Sequence, residues 1–136
     1  PYLGSVSRAA TEFNQLCRGQ MNQMMTDTRI LLSEGLKLAS TTFNAARIAL
    51  GWVASELDQF VIHQVSKVHT DSLVNLLGLD PKKVHAIYPE MGNIGPASVP
   101  IVLAKAAELG KIRKGDRVAL LGIGSGLNCA MAEVVW

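Results

Sequence analysis

Cysteine is scarce in this 136-residue sequence, which contains only Cys17 and Cys129. The two residues form no C-x-x-C motif and have no histidine close by in the chain, so the sequence predicts neither a zinc site nor a disulfide framework. We expect both to be reduced thiols, and Cys129 to be a buried, inert thiol in the last strand.

Charged residues are also few, at 18% of the chain, and the formal net charge is only +2. The lysines and arginines are dispersed, which argues against a nucleic-acid partner. No uninterrupted stretch of about 18 apolar residues occurs, so no membrane span is predicted. The chain begins with Pro1, and no signal-peptide pattern follows it. We expect a soluble, cytoplasmic piece of a longer chain.

Apolar residues, by contrast, make up 49% of the sequence. A chain of this length supports one hydrophobic core, because domains of about 100 to 150 residues bury roughly two-thirds of their unfolded surface. So many apolar and so few charged residues in a small domain indicate that more than one of its faces is covered by other protein.

Hydrophobic periodicity divides the chain near residue 20. Residues 1–20 show no sustained period and predict a loop or connecting segment. From Met21 to Leu50, apolar residues recur every three or four positions, which predicts one long amphipathic helix with its methionines in the core, ended by Gly51. Residues 21–136 are therefore expected to form one α/β half-domain.

Short strands and helices alternate in the rest of the chain. The apolar run Phe60-Val61-Ile62 predicts a buried strand with His63 at its carboxyl end. The later elements are expected to be a helix, a short strand, an apolar helix and two final strands: 66–77, 85–88, 97–109, 117–121 and 128–136. Because the glycine-rich loop 122–126 is too short for a crossover, the final pair is predicted to be antiparallel. This order indicates an α/β fold, with a mixed sheet covered by helices.

The candidate chemistry lies in two residues that each follow a predicted strand. His63 ends the first strand, and Asn93 sits in a glycine-flanked turn after the second. Loops at the carboxyl ends of neighbouring strands meet at one edge of a sheet, where an imidazole and an amide could donate two hydrogen bonds to a thioester carbonyl oxygen. From spacing alone, a structural histidine and an ordinary turn asparagine are the more common explanation.

Several ordered motifs, running from about residue 21 to the C-terminus, resemble the C-terminal half of the ketoacyl synthase III family. The matching segments are FVIHQ at 60–64, LGLDPKKV at 77–84, GNIGPASVP at 92–100, KGD at 114–116 and GIGSGL at 122–127. The resemblance implies the C-terminal half of a thiolase-like fold. It also implies pairing with an N-terminal half and with a second copy of the chain.

The same resemblance assigns roles to individual residues. In that family a cysteine, a histidine and an asparagine form the active site, which places His63 and Asn93 in catalytic positions. The cysteine belongs to the N-terminal half, so this chain alone is expected to be inactive. The loop residues implied to line the active site and the acyl chain are Ile94, Gly95, Gly124, Ser125 and Gly126. Acyl-CoA or an acyl-carrier thioester would be the substrate, and no further cofactor is implied.

The residues after Asn93 and around Ser125 also suggest a subgroup. They look more like the enzymes of bacterial long-chain olefin biosynthesis, which join two fatty acyl-CoA molecules head to head into a β-keto acid. In those enzymes a glutamate of the partner subunit removes the α-proton. Two alternatives stay open: a 3-oxoacyl synthase III that starts fatty acid synthesis with malonyl-carrier protein, and a non-catalytic thiolase-like domain that binds acyl groups or serves assembly.

Two expectations concern residues outside this site. His69 has no assigned partner and is expected on the surface of its helix. The basic residues Lys82 and Lys83 and those of segment 111–117 could meet the phosphates of coenzyme A, although a solvated surface is the favoured interpretation.

Overall fold

A computed structural model describes all residues, 1–136, and contains six strands and four α-helices. The strands are β1 (Tyr2–Ala9), β2 (Cys17–Gln20), β3 (Gln23–Thr26), β4 (Gln59–Ile62), β5 (Arg117–Gly124) and β6 (Asn128–Val135). The helices are α1 (Thr28–Ala49), α2 (Lys67–Leu77), α3 (Tyr88–Met91) and α4 (Ser98–Glu108). None of the helices has the length and hydrophobicity needed to cross a membrane.

The main sheet has four strands in the order β1-β6-β5-β4, while β2 and β3 form a separate hairpin. Strands β4 and β5 are parallel, and Ile62 pairs with Leu121. Strand β6 is antiparallel to β5, as predicted, and β1 is antiparallel to β6. Because β4 and β5 run in the same direction, the residues that follow them lie at the same edge of the sheet.

Successive residues of the sheet alternate between two hydrophobic cores. Phe60 and Ile62 belong to one core, whereas Val61 between them belongs to the other. Helices α1 and α2 contribute to the first core and α4 to the second. A strand covered on both faces must be apolar at every position, which explains the continuous apolar run.

The ends of α2 follow from its capping residues. The Ser66 side chain accepts a hydrogen bond from the backbone N–H of His69, and Gly78 ends the helix in the left-handed conformation at φ 64°. Glycine adopts this conformation without the steric cost that a Cβ would add. Both caps were predicted from the sequence, and both are confirmed.

The prediction of a loop over residues 1–20 is wrong. Residues Tyr2–Ala9 form β1, which pairs along most of its length with β6. Strand β6 lies more than a hundred residues later in the chain, so the hydrophobic pattern of residues 1–20 does not reveal the pairing. The helix predicted from Met21 begins only at Thr28, because Asp27 caps it and accepts a hydrogen bond from Ile30 N–H at 3.0 Å.

The methionines of the β2–β3 hairpin are not in a core, which corrects a second prediction. Met21, Met24 and Met25 are 101%, 76% and 72% exposed. A third correction concerns the strand predicted at 85–88, where only Val84 makes a single bridge to Phe60. The physical reason is that the backbone N–H groups of residues 87 and 88 donate to a glutamine side chain instead of to a neighbouring strand.

Candidate active site

His63 lies one residue beyond the end of β4. Its backbone N–H donates to the carbonyl of Leu121 at 2.8 Å, which extends the ladder between β4 and β5 by one step. The side chain is half-buried. The parallel sheet therefore holds the backbone of His63 at the carboxyl edge, where the sequence placed it.

Asn93 lies in a turn between α3 and a 3-10 turn over Gly95–Ala97. Its side-chain oxygen accepts a hydrogen bond from Gly95 N–H at 3.0 Å. The flanking glycines, Gly92 and Gly95, have φ values of 63° and 58°, a region that favours glycine. Since the oxygen of the amide is engaged, its NH₂ group is left to donate to another molecule.

The Asn93 turn and His63 are in contact through Gly95. Burial lowers the pKa of His63, and a hydrogen bond with the Gly95 backbone raises it, burial being the larger effect. The imidazole is therefore neutral at neutral pH. Gly95 thus binds both candidate residues, since its N–H holds the Asn93 amide while its backbone also contacts the His63 ring.

Gln64, the residue after His63, fixes the backbone around the site and is fully buried. Its backbone N–H donates to the Ser98 hydroxyl at 2.9 Å. Its side-chain oxygen accepts from Ile87 N–H at 2.7 Å and Tyr88 N–H at 3.1 Å, and its NH₂ group donates to the carbonyl of His85 at 2.6 Å. The end of β4 is thereby joined to the segment before Asn93 and to the first residue of α4.

His69 packs against His63, and the prediction that it lies free on the helix surface is wrong. The two ring centroids are 6.1 Å apart and the ring planes are at 86°. Nδ1 of His69 is buried and has no hydrogen-bond partner. Burial, and to a smaller extent the His63 charge, lower the pKa of His69 to about 4. Nothing in the sequence pattern pointed to this contact, because it depends on the angle between β4 and α2.

The predicted glycine-rich loop is shorter than expected, because β5 continues through Gly124. Gly124, Ser125 and Gly126 lie at the same edge of the sheet as His63. Hydrogen bonds with the hydroxyls of Ser125 and Thr26 lower the pKa of the Cys17 thiol. The first residues of the chain therefore approach this loop, which the sequence did not indicate.

The remaining predicted residues lie apart from His63 or inside the fold. Ile94 packs against the core beneath α4. Burial raises the pKa of Cys129, which is 2% exposed, as expected of a buried thiol. At the opposite edge of the sheet, Lys83 Nζ donates to the carbonyls of Ser55 and Leu57, at 3.0 and 2.7 Å.

The positions of His63 and Asn93 indicate what chemistry the site can support. An amide NH₂ group and an imidazole that both contact Gly95 are groups of the kind that can donate hydrogen bonds to a developing oxyanion. No group of three or more His, Cys, Asp or Glu side chains is arranged to hold a metal ion.

Known proteins similar to this chain include an acyl-CoA:acyl-CoA alkyltransferase and synthases III. A family model described as the C-terminal part of 3-oxoacyl-[acyl-carrier-protein] synthase III matches residues 49–136. The acyl-CoA:acyl-CoA alkyltransferase of Xanthomonas campestris is 66% identical over 135 residues, which are 99% of this chain and 40% of that protein. The β-ketoacyl-[acyl-carrier-protein] synthase III of Agrobacterium fabrum is 31% identical over 118 residues, 87% of this chain and 36% of that protein.

Solved structures agree with the fold. OleA of Xanthomonas campestris with bound lauric acid and lauroyl-CoA superposes with a TM-score of 0.95 at 66% identity, over 99% of this chain and 40% of that one. The 3-oxoacyl-(acyl carrier protein) synthase III of Xanthomonas oryzae gives 0.94 at 67% identity, with the same coverage. The chain thus spans about two-fifths of the length of these relatives. The predicted thiolase-like α/β fold is confirmed, and the chain belongs to the 3-oxoacyl-[acyl-carrier-protein] synthase III family as its C-terminal part.

Proposed function

We propose that this chain is the C-terminal part of an enzyme that condenses two fatty acyl-CoA molecules head to head into a β-keto acid. The observation that carries the proposal is the Gly95 turn, which contacts the His63 ring and binds the Asn93 side-chain oxygen. The turn leaves the Asn93 amide NH₂ group available as a donor.

The reaction needs a nucleophile that this chain does not supply at the site. In the proposed sequence of steps, a cysteine thiolate of the N-terminal half attacks the first acyl-CoA, and coenzyme A leaves as its thiolate. A base then removes an α-proton from the second acyl-CoA. The resulting carbanion attacks the acyl-cysteine carbonyl, a carbon-carbon bond forms and the bond to the cysteine sulfur breaks. Water then hydrolyses the β-ketoacyl-CoA to the β-keto acid and coenzyme A.

His63 and Asn93 act where negative charge collects on oxygen. When the α-proton leaves, charge moves onto the thioester carbonyl oxygen of the second substrate, and the two side chains donate hydrogen bonds to that oxygen. The role of His63 requires its proton on the ring nitrogen that faces the substrate. A neutral imidazole carries a single N–H, so it meets this requirement only in the tautomer whose proton is on that nitrogen.

Acyl-CoA as both substrates is favoured by the comparisons. The relative that is 66% identical is named an acyl-CoA:acyl-CoA alkyltransferase, whereas the Agrobacterium fabrum synthase III is 31% identical. A structure of OleA from Xanthomonas campestris contains lauroyl-CoA. We therefore prefer head-to-head condensation, in the biosynthesis of long-chain olefins, to initiation with malonyl-carrier protein.

The exposed surface supports an N-terminal half and a second subunit as partners. The chain exposes 7804 Å², whereas a folded monomer of this mass exposes about 6,900 Å². The large apolar side chains at the surface include Met21, Ile48, Val68, Leu109 and Trp136. We propose that the N-terminal half brings the cysteine to His63 and Asn93, that a glutamate of the partner subunit is the base, and that the dimer works in the cytoplasm.

The test uses the complete protein, with its N-terminal half, and a long-chain acyl-CoA without any malonyl thioester. Mass spectrometry should detect free coenzyme A and a β-keto acid of doubled chain length. Condensation that starts only when malonyl-carrier protein is added would replace the proposal with an initiating synthase. Absence of turnover with either substrate would point to a non-catalytic acyl-binding domain.

A further inference from the structure

The contact between His69 and His63 takes no part in the proposed condensation steps. We propose that His69 is a positioning residue, whose flat ring holds the His63 imidazole in the orientation that condensation requires. The inference rests on the proposed role of His63 as an oxyanion donor.

The backbone places His69 firmly beside the end of β4. His69 is the third residue of α2, and its N–H donates to the Ser66 hydroxyl at 3.3 Å. The connection between the end of β4 and α2 is short, and the chain on its β4 side is bound to Leu121 and Ser98. Both ends of the connection are therefore fixed, so the position of the His69 ring relative to His63 is set by the fold.

The geometry of the two rings is that of an edge-to-face pair. Aromatic rings attract one another at centroid distances of about 4.5 to 7 Å, and perpendicular planes place the positive edge of one on the negative face of the other. The His63 and His69 rings meet both conditions, at 6.1 Å and 86°. Such a contact opposes rotation of the His63 ring about its Cβ–Cγ bond, and the Gly95 backbone contact opposes it from another side.

The buried, unpaired nitrogen of His69 indicates that this side chain does more than fill space. Its Nδ1 atom is buried without a partner, although unpaired buried polar atoms are rare because each one destabilises the fold. An aliphatic side chain would fill the same space without this penalty. A planar ring, however, gives His63 a directional contact that an aliphatic side chain lacks.

Charge repulsion does not disrupt the contact between the His63 and His69 rings. A protonated His69 would repel a protonated His63, but burial and the neighbouring ring both keep His69 neutral. The contact thus joins two uncharged rings at the pH of the reaction, and only the shape and polarity of the rings decide their relative orientation.

The experiment compares His69→Leu with His69→Phe in the complete protein. Both variants replace the imidazole and its unpaired nitrogen with an apolar side chain of similar size. Only phenylalanine keeps a planar ring. Two steps are measured separately: release of coenzyme A in a single turnover, which reports acylation, and formation of the doubled β-keto acid, which reports condensation. We expect H69L to lower kcat for condensation about tenfold, with acylation and KM unchanged. We expect H69F to restore condensation.

Thr70→Ala is the matched control for damage to α2. Thr70 is the next residue of the same helix, is 5% exposed, and also has an unpaired side-chain atom. It should change neither step. Equal loss of condensation in T70A and H69L, wild-type condensation in H69L, or equal loss in H69F and H69L would each overturn the inference.

His63→Ala, measured in the same assay, separates this inference from the proposed function. If H63A condenses normally, the proposed role of His63 is wrong. If H63A is inactive in condensation and H69L is normal, only the role of His69 is wrong.

Discussion

The two edges of the main sheet use polar groups in different ways. At the edge where β5 begins, the Glu133 carboxylate accepts hydrogen bonds from Trp52 Nε1 at 2.8 Å and from Arg117 Nε at 2.6 Å. At the other edge, the Asn93 amide has an engaged oxygen and a free NH₂ group, and Nδ1 of His69 has no partner.

The polar groups at the edge where β5 begins stabilise the fold, whereas those at the His63 edge keep donors for a substrate. The cluster of Glu133, Trp52 and Arg117 satisfies both carboxylate oxygens, so it has little left to offer a ligand. The edge that contains His63 keeps unused donors, although hydrogen bonds hold the backbone of residues 63, 64 and 87. A rigid backbone whose side chains have unused hydrogen-bond donors is typical of a substrate-binding site.

The largest expected effect comes from removing a donor at the His63 edge. His63→Ala and Asn93→Ala, made in the complete protein, should each lower the rate of condensation about a hundred- to a thousandfold, because each removes one oxyanion donor. Acylation of the cysteine should continue. Quenched-flow measurement of coenzyme A release and product formation checks both steps, and near wild-type condensation in both variants would refute the assignment.

A smaller effect, on stability alone, is expected from Glu133→Ala at the opposite edge. The change leaves the buried Trp52 N–H and the Arg117 guanidinium without their carboxylate, and we expect the free energy of unfolding to fall by about 2 kcal/mol, less than for a fully buried pair because Arg117 is partly exposed. Trp52→Phe loses one hydrogen bond and also leaves a cavity where the buried indole packs against Phe43, so it should also cost about 2 kcal/mol. Urea unfolding of the complete protein measures both changes.

The rate of condensation should not change in Glu133→Ala when the variant is assayed under folding conditions. A selective loss of condensation there would show that the two edges are coupled and do not have separate roles.

The smallest expected effect is the pH dependence that His69 adds to stability. Its pKa is about 4 in the folded chain, below the ordinary value of 6.5, so the unfolded state binds the proton more readily between these values. The stability that neutral His69 contributes is complete above pH 6.5 and is lost as the pH falls towards 4. Allowing for partial exposure of the ring, we expect a loss of about 1 kcal/mol.

His69→Phe should remove this part of the acid sensitivity, because phenylalanine does not titrate. Unfolding midpoints in urea, measured for the wild-type protein and the variant from pH 7 to pH 4, test the expectation. Parallel curves for the two proteins would mean that His69 does not titrate differently in the folded and unfolded states.

Several features of the chain could be predicted because they depend on residues that are neighbours in the sequence. The apolar run at residues 60–62, the Ser66 cap and the Gly78 ending are each specified by neighbouring residues, because capping and strand burial depend on a few consecutive side chains. The motifs around His63 and Asn93 identified the family in the same way. For this reason the family, the α/β fold and the position of His63 at the end of β4 could be predicted from the sequence alone.

Other features depend on residues that are distant in the chain. Strand β1 forms because β6 offers it a hydrogen-bonding edge, and residues 85–88 are not a strand because Gln64 binds their amides. The edge-to-face contact of His69 with His63 depends on how α2 leaves β4. The sequence by itself determined which segments fold locally and which family they form; the tertiary structure decided these pairings, because hydrogen bonds and ring contacts between distant residues leave no local pattern.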